Sequence, residues 1–190
     1  MTSPTEIISS EVPKGKSDRA DRRNRMRLFQ SELVDRMQAA RDQTVVRDNQ
    51  LGIMIGQTRW LLDLQEVGEI VPVTAITTVP LTLDWYLGLL NIRGNLISVI
   101  DFSRFQGLPA TEIEPTSRVV TFTSSLGINC GILASRVLGL RNVAEMQAQS
   151  GSESPRPWEG QSYRDQESHG WSTLSLASIV QDQRFLHIGL

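Results

Sequence analysis

The residues able to do chemistry are few, and they are scattered. Cys130 is the lone cysteine, and His169 and His187 are the two histidines. A nucleophilic thiol needs a base, and no histidine stands in a matching motif near "INCGIL", so Cys130 reads as a buried, inert thiol. Two distant histidines do not make a metal site, and no metal or other cofactor is expected. Glu66 and Glu69 lie three apart, which on a strand sends them to opposite faces and spoils a carboxylate dyad. Asp101 ends an apolar run and reads as a turn or capping carboxylate. No phosphate-cradling glycine loop, dinucleotide fingerprint or zinc-protease helix occurs. What remains is recognition by charge. Arg93 sits in "LGLLNIRGNLISVIDF", residues 87–102, between two segments built for burial. Its guanidinium cannot be buried alone, at a cost of several kcal/mol. It must be solvated, paired with a carboxylate, or held for a partner.

The elements around Arg93 read as a hairpin. Gly94-Asn95 is a two-residue turn signal, because Gly accepts positive φ and Asn tolerates it. The following strand, residues 96–102, is apolar on both faces and reads as buried on both. Upstream, "LGIMIG" and "TRWLLDLQEV" form two strands around Gly56-Gln57, the second running from Thr58 to Val67. "EIVPV" and "AITTVP" are rich in β-branched residues, with Pro72 and Pro80 at strand ends or edges. Gly107-Leu108-Pro109 closes this unit. "RVVTFTS", "INCGILASRVLGL" and "WSTLSLASIV" supply a second set of strands or short helices. The intervening residues 145–170 are polar and read as a long loop.

The N-terminal fifth is different. Residues 1–24 are poor in large apolar groups and read as a disordered, basic arm. Residues 25–43 place Met26, Phe29, Leu33, Met37 and Ala40 three and four apart, the spacing of an amphipathic helix. The whole chain has 190 residues, 39% of them hydrophobic, and a formal charge of −2. That charge offers no global attraction to nucleic acid. Aromatic residues are 6% and the basic ones gather in the arm, so no stacking platform for single strands is expected either. No run is long and apolar enough to insert in a membrane, and no apolar block follows a basic start as in a secretory signal. A cytoplasmic protein is the expectation. Short strands with frequent turns indicate paired small β-barrels or one β-sandwich.

The stretch "DWYLGLLNIRGNLISVIDFSRFQGLP", residues 84–109, resembles the signature of the CheW-like domain through Gly88, Asn91, Arg93, Gly94, Val99, Ile100, Asp101 and Phe105. Leu64, Gln65 and Glu66 match that family's Val-Gln-Glu segment. Gly131, Ile132 and Val137 match a downstream stretch, with Ser135 where Asp is usual. The aromatic signature and the preceding amphipathic helix are similar to the pilus-linked, twitching-motility (PilI-type) branch. The resemblance covers residues 50–190. It implies two five-stranded SH3-like β-barrels around a shared apolar core, the first over 50–112 and the second over 116–190. Strands exchanged between the barrels are compatible with it. It implies no catalysis. It also implies an adaptor that couples the cytoplasmic tip of a chemoreceptor to the regulatory domain of a CheA-type histidine kinase, at membrane-anchored receptor complexes. Carried over, Arg93 would pair with Glu66 beside a partner-binding surface formed with Leu64, Gly94 and Val137. Gly88, Asn91 and Asp101 would be structural. The alternative is a free-standing β-barrel interaction module, with a nucleic-acid binder behind it.

Overall fold

The fold was analysed in a computed structural model that describes residues 48–149 and 156–190. The expected basic arm and amphipathic helix lie outside the described residues. The chain opens with β1 (Asn49–Ile55) and β2 (Thr58–Asp63), joined at Gly56-Gln57 as the sequence indicates. Alternation decides their faces. Leu51, Ile53 and Ile55 of β1 and their neighbours Trp60 and Leu62 of β2 all enter the main core.

The second strand is shorter than expected. It stops at Asp63, whose carboxylate accepts the Gln65 N–H at 2.8 Å and whose carbonyl accepts the Glu66 N–H at 3.0 Å. That turn delivers the chain to β3 (Val67–Pro72) in a different sheet. There follow β4 (Tyr86–Ile92), β5 (Asn95–Ile100), the short helix α1 (Phe102–Phe105), β6 (Arg118–Phe122), β7 (Cys130–Ala134) and β8 (Arg136–Asn142). The C-terminal part holds β9 (Gln147–Ala148), β10 (Glu159–Arg164), β11 (Gly170–Leu174), α2 (Leu176–Gln181) and α3 (Gln183–Leu186).

The strands form a six-stranded sheet, β8-β1-β2-β11-β10-β9, and a five-stranded sheet, β3-β6-β7-β5-β4. Two of the pairings, β11 with β2 and β5 with β7, are parallel. The sheets do not follow the division at residue 112 expected from the sequence. The chain crosses from one to the other at Leu64–Glu66 and again at Ser135, so β1 and β2 join the C-terminal strands. "GILASRVLGL" is two strands, one for each sheet, divided at Ser135, whose N–H donates to the Met54 carbonyl at 2.8 Å.

The 145–170 segment is likewise not all loop. β10 pairs with β11 through Ser162↔Ser172 and Tyr163↔Trp171, and β9 covers its other side. Its polar composition reflects a strand near a sheet edge, with little to bury. The strand after Arg93 also departs from expectation. Val99 and Ile100 are buried toward opposite faces, but Leu96 is 56% exposed. The strand ends at Ile100 because Asp101 caps α1.

One core serves both sheets. Leu51, Ile53, Trp60 and Leu62 from the first meet Tyr86, Ile100, Val120 and Ile132 from the second. Aromatic rings fill its centre: Phe102 packs edge-on to Trp60 and Trp158, and Trp85 lies against Phe105 and Phe185. Each such side chain contributes about 1.5–3 kcal/mol by leaving water. A smaller cluster, Leu90, Val99, Val119 and Leu133, sits inside the curl of the five-stranded sheet, with Val71, Val73, Ile76, Leu87 and Ile92 around it.

Candidate functional site

The β4–β5 hairpin turns one residue earlier than expected. Ile92 pairs with Asn95, so the two turn residues are Arg93 and Gly94, with φ of 51° and 90°. Positive φ at both is the type I′ geometry whose twist suits a hairpin. Asn91 fixes it, its side-chain oxygen accepting the Gly94 N–H at 2.8 Å. Arginine in the left-handed region costs on the order of 1 kcal/mol. The strain is local to a residue whose side chain is open to partners.

Arg93 is 79% exposed, and one atom of it is engaged: Nη1 donates to Glu69 Oε1 at 3.3 Å. Glu69, not Glu66, is thus its partner. β3 carries Glu69 and β4 leads into Arg93, and these are the two outer strands of the five-stranded sheet. The ion pair spans between those edges. Farther along, Thr77 and Leu89 exchange two backbone hydrogen bonds at 2.8 Å, drawing the edges together again. Gly88 permits this: at φ 130° it has no side chain, and a Cβ there would collide with the Thr77 carbonyl.

Glu69 is held by its backbone. Its N–H donates to Thr121 Oγ1 at 2.7 Å, and Thr121 Oγ1 donates to its carbonyl at 3.1 Å. The approach needs Gly68, where a Cβ would stand 2.7 Å from Thr121 Oγ1. With half its side chain exposed, the Arg93–Glu69 pair is screened by water and contributes only about 0.2–1 kcal/mol. It orients the guanidinium and leaves most of its five donors open.

Glu66 does a different job. Its carboxylate accepts the Leu176 N–H at 2.6 Å and the Ser175 hydroxyl at 3.3 Å, tying the β2–β3 crossover to the start of α2. Leu64, in the same crossover, is partly buried against the main core. Val137 is partly buried on β8, opposite Ile53, in the other sheet. The structure therefore brings Arg93 and Gly94 together with Glu69, and among the described residues no hydrogen bond or ion pair joins them to Leu64, Glu66 or Val137. A signal for Glu69 was available: Val67-Gly68-Glu69 has the Val-x-Glu pattern itself, where Leu64-Gln65-Glu66 begins with leucine.

Asp101 is 1% exposed and fully employed. Oδ1 accepts the Ser103 N–H at 3.1 Å and the Thr111 hydroxyl at 2.8 Å, and Oδ2 accepts the Thr111 N–H at 2.7 Å. It is a capping carboxylate, as its place at the end of an apolar run suggests. Cys130 is buried, and burial pushes its thiol up to about 12, so it stays protonated and unreactive. Among the described residues no three His, Cys, Asp or Glu side chains gather closely enough to hold a metal ion. No described helix is long and apolar enough to cross a membrane.

Two sheets sharing a core, with an outward arginine on the Asn-x-Arg-Gly turn, are what the sequence resemblance calls for. Residues 50–184 match the family described as CheW-like domain. The chain belongs to the CheW-like family. Among curated relatives it is 26% identical to Protein PilI of Pseudomonas aeruginosa over 150 residues, covering 74% of this chain and 79% of that protein. It is 27% identical to Chemotaxis protein CheW of Thermotoga maritima over 97 residues, covering 51% of this chain and 63% of that one. Among solved structures the scaffolding protein TtCheW of Thermoanaerobacter tengcongensis superposes with a TM-score of 0.57 at 19% identity, covering 68% of this chain and 90% of that one. That likeness establishes the CheW-like fold. The relatives place the chain in a family of chemotaxis and pilus-signalling proteins, with the PilI-type branch among them.

Proposed function

We propose that this CheW-like chain is a non-catalytic adaptor. It holds the cytoplasmic tip of a chemoreceptor and the regulatory domain of a CheA-type histidine kinase together, at membrane-anchored receptor complexes that control pilus-driven motility. One observation carries the reading: Arg93 is displayed on a rigid type I′ turn, almost fully exposed, with a single weak contact. A residue kept for stability would be buried or better paired. A planar guanidinium with free donors suits a partner's carboxylate or carbonyl oxygens.

In this reading Arg93 and Gly94 present the charge, and Glu69 replaces Glu66 as the residue that aims it. Leu64 and Val137, each only partly buried, offer apolar contact beside the crossover and on β8. Glu66, Gly88, Asn91 and Asp101 serve the fold. The family relationship and the PilI and CheW relatives support the partner classes.

The test is reconstitution with a receptor cytoplasmic fragment and a CheA-type kinase. Arg93→Ala should lower receptor recovery while circular dichroism and melting stay as in the wild type. Recovery at wild-type strength would remove Arg93 from the docking surface, and absence of any kinase association by the unaltered chain would remove the adaptor reading itself.

A further inference from the structure

A cleft of about 550 Å³ lies on a different part of the molecule. Its floor is the β1–β2 turn, with Met54 and Ile55, and one wall is the irregular segment 108–114 that follows α1. Ser135 and Arg136, at the crossover between the sheets, complete the lining. It shares no residue with the Arg93–Glu69 pair.

The cleft is firmly built. Asp101 grips Thr111 through both carboxylate oxygens, and the Ser103 hydroxyl donates to the Pro109 carbonyl at 2.7 Å, so the 108–114 wall is anchored from inside. The floor leans on α1 at Gly56, where a Cβ would meet Ser103 Oγ at 3.2 Å.

Its chemistry is mixed in a definite way. Leu108 and Pro109, both exposed, supply apolar surface. Glu112, Glu114 and Arg136 all line the cleft. Among the described residues none of these three charges is in an ion pair. The N–H groups of Ala110 and Glu112 have no acceptor among the described residues either, so the wall offers backbone donors as well as carboxylates. Two carboxylates against one guanidinium leave room for a single added positive charge. A dense polycation would meet Arg136.

We propose that this cleft docks an extended segment of another protein that carries one lysine or arginine between apolar residues. The cation faces Glu112 and Glu114, the apolar neighbours cover Leu108 and Pro109, and the peptide carbonyls take the free amides of the wall. Arg136 selects against polybasic segments.

The experiment is a titration of the ¹⁵N-labelled full chain with short blocked peptides, followed by amide NMR. One has a central lysine flanked by leucines, one has glutamate in its place, and one is all lysine. Saturable shifts at Gly56, Leu108, Ala110, Glu112 and Ser135 are expected with the single-lysine peptide, and the glutamate peptide should bind at least about tenfold more weakly. Glu112→Lys with Glu114→Lys, both on an exposed loop, should reverse that preference, and Glu167→Lys should leave it unchanged. Equal response to lysine and glutamate peptides would overturn the proposal. So would tightest binding by the all-lysine peptide. Shifts of the same amides on raising protein concentration with no peptide would assign the cleft to a second copy of this chain and overturn it too.

Discussion

Asp101→Ala is the substitution whose cost can be worked most fully. The carboxylate caps α1 by accepting the Ser103 N–H, and such a cap is worth about 1 kcal/mol. It also accepts the N–H and the hydroxyl of Thr111 at 2.7 and 2.8 Å, from a residue that is itself buried. Hydrogen bonds to a charged acceptor are worth about 1.5–3 kcal/mol each, and alanine would leave both Thr111 donors without a partner or easy access to water. Relief of the carboxylate's own desolvation offsets part of this. The net loss is about 3–5 kcal/mol, a large share of the 5–15 kcal/mol typical of a domain. At about 2–4 °C per kcal/mol for a domain of this size, the melting temperature should fall by roughly 6–20 °C. Asp101→Asn should cost less, because one oxygen remains while its amide group opposes the Thr111 N–H. Urea unfolding followed by tryptophan fluorescence reports the change, since Trp85 and Trp158 pack beside α1 through Phe105. Hydrogen exchange at Thr111 should accelerate in both variants. An Asp101→Ala protein within about 0.5 kcal/mol of the wild type, with the Thr111 amide still protected, would refute the reasoning.

Further expectations concern closure, burial and charge. Gly88→Ala should destabilise by upward of about 3 kcal/mol, since positive φ and the collision with Thr77 act together; chemical denaturation checks it, and a near-neutral result would contradict the close approach. Cys130, with its thiol raised to about 12 by burial, should resist alkylation at pH 8 in the native protein and react readily in urea; rapid native labelling would show that the core opens. Asp165 has its carboxyl lowered: burial works to raise it, but the Trp171 indole N–H, the His169 amide and the His169 ring outweigh that. A depressed carboxyl adds stability that is present above its unfolded value of about 3.9 and is lost as pH falls through the folded value. The Trp171 indole resonance should therefore hold its native shift into that acid range and move within it, and Asp165→Asn should abolish the acid step; an unchanged step in the variant would assign it elsewhere.

How far the sequence discloses this molecule depends on the distance over which each feature is determined. The Gly56-Gln57 hairpin, the capping role of Asp101 and the burial of Cys130 follow from neighbours within a few positions, and they were readable. Sheet membership was not. Alternation tells which face of β1 is apolar, but not that β1 lies beside β8 or that β2 runs parallel to β11. β10 carries no apolar rhythm because it lies near a polar sheet edge, so the long 145–170 segment reads as a loop. The site was half legible. Arg93 stands out, but its turn begins one residue earlier than the Gly94-Asn95 signal implies because Asn91 captures the Gly94 N–H, and its partner is Glu69, three residues beyond Glu66. Glu66 and Glu69 are equally acidic and equally near. The Val-x-Glu pattern at Val67-Gly68-Glu69 and the crossover at Leu64–Glu66, which turns Glu66 toward Leu176, separate them.

The most direct measurement is a charge-swap cycle on ternary assembly with a receptor fragment and a CheA-type kinase, comparing Arg93→Glu, Glu69→Arg and the two combined. Arg93→Glu should weaken receptor binding about tenfold or more, while kinase binding and the melting temperature stay near wild type. The combined variant should recover only part of that loss, because the pair is restored but the presented charge is reversed. Wild-type assembly by Arg93→Glu, or an equal loss on exchanging Glu66 instead of Glu69, would contradict the account.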